Sequence, residues 1–138
     1  MSFFPEIDLT NDEAKAMARG MLTVAKVDGS VDVREQSLIQ EFYDGDLATL
    51  AEIPAGEVKA AFSRAAAGEL FLKSCLLVAL ADRYFSDNER KLLSGYAEAL
   101  GVTDDELRDM QQGVKEYLLR PLSRLANSEA VAQVAQKM

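Results

Sequence analysis

Met21-Leu22-Thr23-Val24-Ala25-Lys26-Val27-Asp28 and Cys75-Leu76-Leu77-Val78-Ala79-Leu80-Ala81-Asp82 are one kind of segment met twice, 54 positions apart. Each is an apolar run that closes on an aspartate. The correspondence continues downstream at the same offset. Val31 falls on Phe85, Glu35 on Glu89, Leu38 on Leu92, Ile39 on Leu93 and Phe42 on Tyr96. The register then slips. Ile53-Pro54 resembles Val102-Thr103, so the first half holds extra residues around 44–50. Repeated units that share a core often pack about a pseudo-twofold axis. The pattern predicts a single domain over 1–138, with two pseudo-symmetric halves at about 11–66 and 67–120 and a C-terminal helix at 121–138. It also predicts that the two Asp-to-Glu loops lie close together.

The helical reading rests on start signals. In a capping box, an N-cap oxygen accepts the N3 amide while the N3 carboxylate accepts the N-cap amide. Thr10/Glu13, Asp32/Glu35, Ser86/Glu89 and Thr103/Glu106 all have this spacing. Pro54 with Glu57 marks a fifth start, with proline in the first turn. Gly68 is expected to separate two helical stretches, and Pro121 to interrupt or restart the last. No segment alternates apolar and polar residues as a half-buried strand would. The expected helices cover about 11–27, 33–44, 54–66, 69–82, 87–100, 104–119 and 122–136. Ala14, Met17, Ala18, Met21, Leu22 and Ala25 give the first an apolar face. The fourth is apolar nearly all round, which marks a central helix. The expected fold is therefore all-α, a compact bundle of about seven helices.

Composition narrows the function. The 138 residues suffice for one core without staples, and 49% of them are hydrophobic. The formal net charge of −8 disfavours nucleic acid or anionic lipid as the main partner, since both select a basic surface. The single cysteine, Cys75, lies in an apolar run and reads as a core residue. It cannot form an internal disulfide, which suits a reducing compartment. The start, Met1-Ser2-Phe3-Phe4-Pro5, has neither the basic stretch nor the apolar core of a signal peptide. The longest apolar run, 75–81, is too short to span a bilayer. These features imply a cytoplasmic protein. The sequence contains no histidine. That removes serine–histidine and cysteine–histidine catalysis and every metal motif that needs imidazole. With no glycine-rich phosphate loop either, no enzyme is expected.

The carboxylates at the repeat divide into two kinds. Glu35 and Glu89 sit at N3 of their helices, where capping and the helix dipole already favour a negative charge. Asp28 and Asp82 fall at helix C-terminal ends, where the dipole opposes a negative charge by roughly 0.3–1 kcal/mol. A turn role competes there, since Asp28-Gly29 is a common turn pair. Convergence of Asp28, Glu35, Asp82 and Glu89 would require a cation to offset their repulsion. An all-oxygen set suits Ca²⁺, Mg²⁺ or Mn²⁺. The stretch from Asp28 to Glu35 also mimics the end of an EF-hand loop, but Val24 and Lys26 would then fill the first and third ligand positions. Neither can ligate calcium in that role.

Ala25-Lys26-Val27-Asp28-Gly29-Ser30-Val31-Asp32, followed by Glu35, resembles the signature of the TerB-like family. So does Ala79-Leu80-Ala81-Asp82, with Glu89 and Leu92 after it and then Ala97-Glu98-Ala99-Leu100-Gly101-Val102. The family takes its name from bacterial tellurite resistance. Related domains occur on the N-terminal cytoplasmic side of a membrane-anchored DnaJ-like co-chaperone. The resemblance covers about 21–107 and implies seven helices in two similar halves. It also implies metal binding by acidic residues, which here would be Asp28, Glu35, Asp82 and Glu89, and a role in stress-response or membrane-associated complexes. The second motif departs from the pattern at Arg83, where glycine usually follows the aspartate. Arg83 is a cation able to pair with Asp82. The alternative is a metal-independent adaptor that binds protein partners through its acidic surface.

Overall fold

The computed structural model describes residues 4, 7–27, 29, 31–81 and 85–125, with side chains through residue 119. Every regular element among them is helical. They are α1 (Asn11–Lys26), α2 (Val33–Ile39), a 3-10 turn (Leu47–Thr49), α3 (Ala55–Ala61), α4 (Ala65–Leu80), α5 (Asp87–Ala99) and α6 (Asp104–Leu125). Six α-helices are thus described where about seven were expected: the sixth and the start of the seventh are one helix, α6, and the 3-10 turn lies where no helix was expected.

All four capping boxes form. Thr10 and Glu13, Asp32 and Glu35, and Ser86 and Glu89 exchange their reciprocal bonds at the heads of α1, α2 and α5. Thr103 and Glu106 do so at the head of α6, with bonds of 2.9 and 3.1 Å. The repeat is written in the element bounds. α1 and α4 each have 16 residues, and both ends are offset by 54 positions. α2 and α5 begin 54 positions apart as well. Even the last turns match. Val27 donates to the Val24 carbonyl and Ala81 to that of Val78, both at 3.3 Å.

Several boundaries depart from expectation. The third helix stops at Ala61, not near residue 66, because Phe62 leaves the helical region and turns into the core. There its ring meets Phe71 at a centroid distance of 4.6 Å. Pro54 is the N-cap of α3 and does not lie in its first turn. Gly68 does not break the chain, since it lies within α4, buried, with Leu100 beside it. A helical glycine costs roughly 1 kcal/mol relative to alanine, and tertiary packing outweighs that here. α6 likewise runs through Pro121 to Leu125. Pro121 removes one helical donor without ending the element, so no restart occurs there. The part of the expected last helix beyond 125 lies outside the described residues. The second helix is also shorter than expected, ending at Ile39 and passing into turns. The extra residues of the first half form the 3-10 turn capped by Asp46, which buries Leu47 and Leu50.

α4 is the centre. Leu70, Phe71, Leu72, Cys75, Leu76, Val78 and Ala79 on it are all buried, and the one polar stripe is the Glu69–Lys73 ion pair, continued by the half-buried Leu77. It packs against α1, α5 and α6. Fully burying a large apolar side chain contributes roughly 1.5–3 kcal/mol, and α4 does this with Phe71, Leu72 and Leu76. The approach to α1 is tightest at Gly20, where a Cβ would stand 2.1 Å from Phe71 Cε1. The third helices of the two halves pack differently. α3 lies against α5, whereas α6 rests mainly on α4.

Candidate functional site

Asp28, Asp82 and Arg83 lie outside the described residues, so the convergence of the two loops concerns positions without described geometry. The two glutamates are described, and their settings match. Glu35 Oε1 accepts the Asp32 amide at 3.0 Å, and the Glu35 amide donates to Asp32 Oδ1 at 2.8 Å. Glu89 Oε1 accepts the Ser86 amide at 2.9 Å, and its own amide donates to Ser86 Oγ at 3.0 Å. Both residues are buried, at 6% and 4% exposure. For a carboxylate this is unusual, and the capping bonds supply the compensation that burial demands. Val31 and Phe85, which correspond in the repeat, are half-buried against the core. Among the described residues, no three carboxylates or thiols come together as a metal site. Glu35 and Glu89 would therefore need Asp28 and Asp82 to complete one. Val24, which an EF-hand would require as a ligand, is buried inside α1.

Two polar systems that the sequence did not reveal tie other parts of the bundle together. The first clamps the heads of the equivalent helices α1 and α4. Arg64, the N-cap of α4, donates through Nε to Glu13 Oε2 at 3.1 Å and through Nη2 to the Asp8 carbonyl at 2.9 Å. A further Nη2 bond reaches Glu13 Oε1. Glu13 therefore serves its own capping box and the α4 head at once. Its carboxyl is held below the usual range, first by the Arg64 hydrogen bond and then by the Thr10 amide. The capping box was legible in the sequence. The partner 51 positions away was not, because nothing local marks it.

The second system pins the extended stretch 51–53. Arg19 Nε donates to the Ala51 carbonyl at 3.0 Å and Nη2 to that of Glu52 at 2.9 Å. The Ile53 amide donates to Thr23 Oγ1 at 3.0 Å, and the Thr23 hydroxyl donates to the Arg19 carbonyl at 2.7 Å. From the other half, the Tyr96 hydroxyl donates to the Ile53 carbonyl at 2.6 Å. Burial is the main cause that raises the Tyr96 phenol above its ordinary value. The sequence pairs Tyr96 with Phe42, and the hydroxyl is the difference between the two. Cys75 is fully buried, and desolvation pushes its thiol up. A thiol held neutral is a poor nucleophile, in keeping with a core role.

An open cleft of about 810 Å³ lies between α1 and α3, bordered by Glu13, Arg19, Glu57 and Arg64. Arg19 and Glu57 bridge it at 3.2 Å. No helix among the described residues is long and apolar enough to cross a membrane. No protein-family model, curated protein or solved structure matches this chain.

Proposed function

We propose that the chain is a non-enzymatic helical module of the TerB-like kind, acting in a cytoplasmic stress response of the tellurite-resistance type. In this reading it binds a divalent cation, Ca²⁺, Mg²⁺ or Mn²⁺, through Asp28, Glu35, Asp82 and Glu89. The carrying observation is the equal placement of the two motifs. Each aspartate follows the end of equivalent helices, α1 or α4, and each glutamate sits at N3 of the next, α2 or α5. Two buried carboxylates in like positions are the expected inner part of an oxygen-lined site, and the aspartates would supply its outer part. A bound cation would also stabilise a negative charge that the C-terminal ends of α1 and α4 oppose.

A cation that binds the folded chain raises its unfolding temperature by mass action. Thermal unfolding in Ca²⁺, Mg²⁺ or Mn²⁺ against a chelator is expected to show that rise for one of the three. Asp28→Asn and Asp82→Asn should each reduce it. If none of the cations shifts the transition, the metal reading fails.

A second reading is favoured by the capping bonds themselves. Glu35 and Glu89 are each engaged as helix caps, which accounts for their burial without a metal. The module would then be an adaptor for protein partners in a stress or membrane-associated complex. Partner capture that survives chelation would support that reading over the first.

A further inference from the structure

No further inference is drawn: the strongest candidate, the open cleft between α1 and α3 bordered by Glu13, Arg19, Glu57 and Arg64, carries ionic ties across its own walls and nothing in the structure shows what covers it.

Discussion

Removing one oxygen atom, in Tyr96→Phe, tests how the two halves are joined. The ring should stay in place, since Phe71 packs on it at a centroid distance of 5.2 Å and the side chain is fully buried. With the hydroxyl go its 2.6 Å bond to the Ile53 carbonyl and its hydrogen-bonding contact with Thr23. Ile53 is itself 1% exposed, so water has little access to its carbonyl. Leaving a buried acceptor unmet costs about 1–3 kcal/mol. We expect a loss of about 2 kcal/mol, which for a domain of this size lowers Tm by about 5–10 °C. Urea unfolding followed by circular dichroism reads it as a lower midpoint with an unchanged slope. Tyr43→Phe is the control, because that hydroxyl meets Thr49 at 3.4 Å in an exposed position, and near-zero change is expected. Thr23→Val removes the other bond that holds Ile53. Once it is gone the stretch is looser, so Tyr96→Phe should cost less in that background, with a coupling of about 0.5 kcal/mol or more. The phenol adds a pH signature. Its folded-state pKa is raised, so its contribution is complete below the ordinary tyrosine value of about 10 and is lost as pH rises toward the folded value. The alkaline fall in stability should shrink in Tyr96→Phe. A loss below about 0.5 kcal/mol, indistinguishable from an exposed-surface change, would refute the claim that this bond joins the halves.

Three further outcomes follow from the described geometry. Glu13 is held below its ordinary value, so the stability it contributes is present above about pH 4.3 and disappears as pH falls through the lowered folded value. Glu13→Gln should flatten that acid limb in a pH series of unfolding midpoints. Gly20→Ala gains roughly 1 kcal/mol of helix propensity but drives a methyl into Phe71, which Phe62 and Tyr96 hold from other sides. Overpacking of about 1–3 kcal/mol should win, and Phe71→Leu should relieve it, whereas a stabilised Gly20→Ala would contradict the close approach. Gly101 has φ +74° and closes α5, with its amide bonded to Glu98 and the Val102 amide to Ala97. Gly101→Ala should cost about 1–2 kcal/mol in chemical denaturation.

What could be read from the sequence was local or periodic. Capping boxes need only two residues three apart, and all four were found. Helix type and the central place of α4 followed from residue pattern, and the repeat followed from a fixed offset. The errors arose where distant contacts overrule local preference. Gly68 reads as a break until Leu100 is seen beside it, and 54–66 reads as one helix until Phe62 is seen turning inward to Phe71. Pro121 reads as a stop, yet α6 continues through it. At the candidate site, the capping of Glu35 and Glu89 was legible for the same local reason. Arg64 on Glu13 and Tyr96 on Ile53 were not, because single long-range hydrogen bonds leave no periodic trace.

The apolar girth of α4 bears on how the chain is made. Synthesis runs from the N-terminus and domains tend to fold as units. Residues 11–61 leave the ribosome before 65–80, and α1 emerges with Gly20 and its neighbours facing a helix that does not yet exist. Completion of that face waits for residues 65–80, and most of the apolar surface of α4 in turn waits for α5 and α6. The nascent first half is therefore the form most exposed to chaperones. A stalled chain released before residue 80 should be a far better chaperone client than the finished protein.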